Sequence, residues 1–122
     1  MLVESQTDGE LCILRLSGRF ATGHDVAYLR EKAEEVKRCG CPRVLVDFRD
    51  VAYLDSTGIG FLIGLYASVV THPGGAFGIY APNAKVREVL EICRLDTIFP
   101  IYKDEAAARA ALKAGDSALS GR

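Results

Sequence analysis

Three observations predict a single α/β domain with a mixed, mostly parallel sheet of four to five strands, an N-terminal hairpin and about four packing helices. An Asp-Gly turn between two β-type runs opens the chain. Strand-like and helix-like segments then alternate. One run, Val44-Leu45-Val46, is apolar at every position, as in a strand covered on both faces. A chain of 122 residues has room for one core, expected to occupy residues 1–115 with 116–122 as a flexible C-terminal tail.

Residues 2–7 and 11–16 flank Asp8-Gly9 and read as the hairpin. In the second run Leu11 and Ile13 face one way and Cys12, Leu14 and Leu16 the other, so burial on both sides is expected. Ser17-Gly18-Arg19-Phe20-Ala21-Thr22-Gly23 reads as a glycine-punctuated loop. From Asp25 onward, Val26, Leu29, Ala33 and Val36 recur at helical spacing, while Arg30, Glu31, Lys32, Glu34, Glu35 and Lys37 fill a solvated face. Gly40 and Pro42 end that helix.

The apolar strand follows and passes through Asp55-Ser56-Thr57-Gly58 into a second helix. Ser and Asp accept hydrogen bonds from the unpaired N–H groups of a first helical turn, so the strand-to-helix change is expected there. This helix is apolar nearly all round. Ile59, Leu62, Ile63, Tyr66 and Val70 suffice to cover a sheet. Phe61, Leu65 and Val69 form a surplus stripe, which either further helices or a partner must cover. Gly58, Gly60 and Gly64 each weaken the helix by up to ~1 kcal/mol relative to Ala, and close backbone packing is the expected reason for them.

After His72-Pro73-Gly74-Gly75, residues 76–80 form a short strand. Asn83 caps a third helix lined on one side by Val86, Val89, Leu90 and Cys93. Residues 95–100 are an irregular apolar connector and Ile101-Tyr102 a short edge strand. Asp104 caps an alanine-rich helix that Gly115 is expected to end.

Composition narrows the function. A formal net charge of −1 argues against a broad nucleic-acid or lipid-binding face. No apolar run reaches the roughly 20 residues that span a bilayer, and residues 1–5 lack a signal-peptide profile, so a cytoplasmic protein without membrane insertion is expected. Cys12 and Cys93 read as small core residues. Cys39-Gly40-Cys41 lacks the two-residue spacing of a redox or zinc pair, and His24 and His72 stand singly in loops. Reduced thiols, no metal and no cofactor are expected.

An enzyme is disfavoured. Ser56 is not set in Gly-x-Ser-x-Gly, and neither histidine is near it in sequence. Gly58, Gly60 and Gly64 fall inside a predicted helix rather than before one.

Asp50-Val51-Ala52-Tyr53-Leu54-Asp55-Ser56-Thr57-Gly58-Ile59-Gly60 resembles the signature of the STAS domain of bacterial anti-sigma factor antagonists. Ala81-Pro82-Asn83-Ala84-Lys85-Val86-Arg87-Glu88-Val89-Leu90 and Leu95-Asp96-Thr97-Ile98-Phe99-Pro100-Ile101-Tyr102 resemble its later blocks. The resemblance implies partner switching. Ser56 would be phosphorylated by a cognate anti-sigma factor acting as serine kinase and restored by a phosphatase. The unphosphorylated form would bind the anti-sigma factor and release the sigma factor.

The implied partner face comprises Asp55, Ser56, Thr57 and Gly58 with the stripe Phe61, Leu65 and Val69. Many antagonists carry an acidic residue where this chain has Ala21 after Gly18-Arg19-Phe20, and Asp25 is the residue expected to serve instead. The alternative is an unphosphorylated STAS adaptor in a stress-sensing or lipid-transport complex. A monomer or weak homodimer is expected in either case.

Overall fold

The structure, a computed structural model, describes residues 2–20, 26–71 and 74–120, with side chains to residue 112. Asp25, Ala21, His24 and His72 lie outside the described residues. The order of elements is the expected one: β1 (Leu2–Asp8), β2 (Leu11–Phe20), α1 (Val26–Cys39), β3 (Arg43–Leu54), α2 (Ser56–Val70), β4 (Ala76–Tyr80), α3 (Ala84–Ile92), a 3-10 turn (Leu95–Thr97), β5 (Ile101–Tyr102) and α4 (Glu105–Ser120). The strands lie in sequence order in one sheet. β1 runs antiparallel to β2 and the other neighbours are parallel.

The sheet has two apolar faces. Cys12, Leu14 and Leu16 of β2 and Val44, Val46 and Phe48 of β3 pack beneath α1, α2 and α3. Ile13, Leu45 and Tyr80 pack on the other face against Ala108 and Leu112 of α4. This two-sided cover is why β3 is apolar at successive positions rather than at alternate ones. At the hairpin edge the Tyr28 hydroxyl donates to the Val3 carbonyl at 3.4 Å and accepts from the Val3 N–H at 3.0 Å. A helix side chain thus satisfies backbone groups that an edge strand leaves unpaired.

Several expectations need correction. β2 continues through Ser17-Gly18-Arg19-Phe20, because these residues pair with the extended end of β3 across two register shifts. Gly18, at φ 94°, serves the irregular ladder rather than a loop. α4 passes through Gly115 and ends at Ser120, past the expected stop. Cys93 is exposed at the end of α3, not core, whereas Cys12 is buried and its thiol is pushed up to about 12 chiefly by that burial. Among the described residues no three His, Cys, Asp or Glu side chains are grouped to hold a metal ion. No described helix is long and apolar enough to cross a membrane.

The stripe Phe61, Leu65 and Val69 is not bare. Leu65 is 0 % exposed, and all three belong to the core beneath α1 with Leu29 and Val36. The reason is that α1 and α2 lie side by side on one sheet face, so α2 must bury a flank as well as its underside. The large apolar residues of α2 left exposed are Ile63 at 43 % and Val70 at 40 %, which the periodicity assigned to the sheet. The three glycines also divide. A Cβ on Gly58 would collide with Leu54 Cδ1 and lie 2.9 Å from Phe20 Cβ, whereas one on Gly60 or Gly64 would meet nothing within 4 Å. Of these three, only Gly58 is a close-packing glycine.

Asp47 is the one buried charged side chain among the described residues, at 4 % exposure. Arg49 holds it, with the backbone N–H donating to Oδ1 at 2.9 Å, Nε to both oxygens at 3.2 Å and Nη2 to Oδ2 at 2.8 Å. Arg15 Nε stands at 3.8 Å from Oδ2. Burial on its own would raise the carboxyl, but the Arg49 hydrogen bonds and charge outweigh it and hold Asp47 below the usual carboxylate value.

Two predictions follow from this packing. Gly58→Ala should lower the melting temperature, whereas Gly60→Ala and Gly64→Ala should each raise stability by up to ~1 kcal/mol, because helix propensity improves without a clash. Thermal melts of the three variants check this. Because the folded pKa of Asp47 is depressed, its contribution is full above the unfolded value of about 4 and is lost as pH falls through the folded one. Asp47→Asn should therefore be less stable at neutral pH by about 1–3 kcal/mol and lose less further stability on acidification than the parent, as measured by denaturation between neutral pH and pH 2.

Candidate partner-binding site around Ser56

β3 outruns β4, pairing with it only as far as Asp47 and Tyr80. Beyond that point the side chain of Asn83 takes the place of a neighbouring strand, its Nδ2 donating to the Val51 carbonyl at 3.0 Å. Its Oδ1 accepts from Val86 N–H at 2.8 Å and so caps α3. One asparagine thus ties the start of α3 to the end of β3. On the other side, Arg19 of β2 lays its guanidinium 4.4 Å from the ring centroid of the exposed Tyr53, a cation–π contact at the strand ends.

Asp55 ends the strand and begins the helix within one residue. Its N–H donates to the Phe20 carbonyl at 3.0 Å, closing the ladder with β2. Its backbone is extended (φ −131°, ψ −161°), its carboxylate accepts from Thr57 N–H at 3.0 Å, and its carbonyl accepts from Ile59 N–H at 2.9 Å. The sequence left the cap open between Asp55 and Ser56. The geometry gives it to Asp55 and makes Ser56 the first helical residue. Gly58 is buried against Phe20 and Leu54. With 3.6 residues per turn, a residue two positions earlier lies on the far side of the helix. Ser56 accordingly is exposed, and Thr57 and Asp55 are half-buried.

A groove of about 450 Å³ runs from Ser56 between α1 and α2. Ser56, Thr57, Gly60, Phe61 and Gly64 line it from α2, and Val26, Leu29, Arg30, Ala33 and Lys37 from α1. The missing side chains of Gly60 and Gly64 make its open wall. A second groove of about 450 Å³ lies between the hairpin turn and α4. It belongs to the opposite sheet face, and its charges are already paired, Arg43 with Glu10 at 2.6 Å and Arg109 with Asp8 at 3.0 Å.

The candidate residues therefore separate. Asp55, Ser56, Thr57 and Gly58 form one turn, of which Gly58 is its buried seat. Phe61 is buried but reaches the groove wall, and Leu65 and Val69 are interior. Arg19, Tyr53 and the glycine-walled groove were not singled out from sequence. Asn83 alone carried a signal, as a helix cap, and its second bond to Val51 depends on tertiary contact.

Comparison with known proteins agrees with the fold. The STAS domain family model matches residues 3–108. An anti-sigma F factor antagonist of Paenibacillus polymyxa is 26% identical over 106 residues, covering 87% of this chain and 90% of that protein. The crystal structure of an anti-sigma factor antagonist from Mycobacterium paratuberculosis superposes with a TM-score of 0.81 at 19% identity, covering 92% of this chain and 93% of that one. The Bacillus cell fate determinant SpoIIAA in its phosphorylated form gives 0.67 at 20% identity, covering 90% and 99%. With a matching family model over most of its length and the five-stranded sheet and four helices in the expected order, the chain belongs to the STAS domain family.

Proposed function

We propose that this STAS domain is an anti-sigma factor antagonist in a partner-switching pathway, with Ser56 as the phosphoacceptor. The observation that carries the reading is an exposed serine at the first position of α2, turned outward because Gly58 is turned inward. Relatives named as anti-sigma factor antagonists support the general role. The unphosphorylated protein binds an anti-sigma factor that is also a serine kinase. A phosphatase restores the hydroxyl. The chain performs no catalysis of its own, works in the cytoplasm and needs no cofactor.

The partner surface in this reading starts at Asp55, Ser56 and Thr57 and continues along the outer face of α2 through Gly60, Ile63, Gly64 and Val70. It replaces the interior stripe of Leu65 and Val69, which cannot be reached without displacing α1. Asp25, which lies outside the described residues, keeps its proposed part in partner binding.

Phosphorylation adds about −1.5 to −2 charges at neutral pH. At the first residue of α2 those charges meet the positive end of the helix dipole, which offsets repulsion from Asp55. The fold therefore tolerates the phosphate. The complex does not, because a dianion must be desolvated against a partner beside exposed apolar side chains. A loss of ~3 kcal/mol there would lower affinity more than a hundredfold.

Incubation with the cognate kinase and ATP, read by intact mass, tests the acceptor. Ser56→Ala should remain folded and take up no phosphate. Label mapped to Thr57 would overturn the assignment, and a parent protein that takes up none would favour a constitutive adaptor. The surface is tested by pairing two substitutions on one helix. Ile63→Gln should weaken binding at least tenfold with little change in melting temperature, whereas Leu65→Gln should cost several kcal/mol of stability by burying an amide in an apolar site.

A further inference from the structure

We propose that Arg30 of α1 is the receptor for the phosphate carried by Ser56, so that phosphorylation bridges the two helices across the mouth of their groove. This rests on Ser56 as the acceptor and adds the group that holds the modification.

The first support is placement, since Arg30 and Ser56 line the same groove. α1 and α2 each connect neighbouring parallel strands on one sheet face and so run in the same direction. Val26 and Ser56 share one end of the interhelical seam, while Gly40 and Thr71 share the other. Helical side chains lean toward the N-terminus of their own helix, which carries Arg30 back toward the Ser56 end. A Cβ at Gly60, one turn along from Ser56, would meet nothing within 4 Å, so this wall of the groove is open.

The second support is charge. Lys32 is paired with Glu35 and Lys37 with Glu34, each at 3.2 Å. Among the described residues Arg30 makes no ion pair, and it is exposed. A guanidinium can bind phosphate through two parallel N–H donors, which an ammonium cannot. The Asp55 carboxylate next to the serine in sequence, engaged with Thr57 N–H, repels a phosphate, whereas the Arg30 guanidinium attracts it. Among the described residues, the charged groups near the modified serine are Asp55 on its own element and Arg30, with Lys37 farther along, on the packed one.

The test uses the full chain with phosphoserine installed at position 56 during synthesis, so it does not depend on any kinase. Titration of the phosphorus resonance reads the second ionisation, which lies near 6 in an unperturbed phosphoserine. An adjacent guanidinium favours the dianion, so Arg30→Gln should raise that pKa by roughly half a unit, with Arg30→Lys between and Lys37→Gln unchanged. Coincident curves for the parent and Arg30→Gln would overturn the assignment, as would an equal shift in Lys37→Gln. A kinase that ignores Ser56 would refute the proposed function without altering these curves, so the two failures are distinguishable.

Discussion

The whole site depends on one close approach. The first turn of α2 sits so near the ends of β2 and β3 that position 58 has no room for a side chain, with Phe20 and Leu54 filling the space. This fixes the rotation of the helix about its axis. Ser56 must then face outward, Leu62 and Leu65 inward, and Ile63 and Val70 to solvent. Asp55 fixes the remaining freedom by closing the β2 ladder and capping the helix at once. A side chain at position 58 would have to push α2 away from the sheet or shift Phe20, and either movement would disturb the serine two residues earlier.

Around that contact the polypeptide places rigid support on every side. The extension of β2 through Phe20 flanks the end of β3 on one edge, and Asn83 supplies the missing partner on the other. Beneath lies a core shared by α1, α2 and α3, and on the reverse face α4 packs against Leu45 and Tyr80. A serine presented on such a platform is preorganised. In the proposed reading, phosphorylation there changes charge and bulk at one surface point and leaves the packing below intact, as suits a switch read by a partner rather than by the chain's own rearrangement.

The fold was largely legible because its signals are local. Asp8-Gly9 marks the hairpin, the apolar run marks β3, and the charged face of α1 marks an amphipathic helix. The strand-to-helix change at Asp55 was readable for the same reason. What escaped depends on neighbours. Glycine at 18 suggested a loop, but pairing with an overlong β3 drew Ser17–Phe20 into the sheet as residues 17–20 of β2. The faces of α2 were misassigned because a nearly all-apolar helix has little periodicity to orient it, and only the presence of α1 alongside decides that Leu65 is interior and Ile63 exposed. Gly58 and Gly60 look alike in sequence and differ only in what stands opposite them. Arg30 looked like one of many solvated charges until the groove placed it with Ser56.

The central claim is that phosphorylation acts locally on a preformed surface. The most direct measurement compares backbone amide spectra of the free protein with and without phosphate on Ser56. The account predicts shifts confined to the first turn of α2, the facing residues of α1 and the ends of β2 and β3, with the resonances of β4, β5 and α4 unmoved. Changes spread across the sheet and α4 would show a global rearrangement and contradict it.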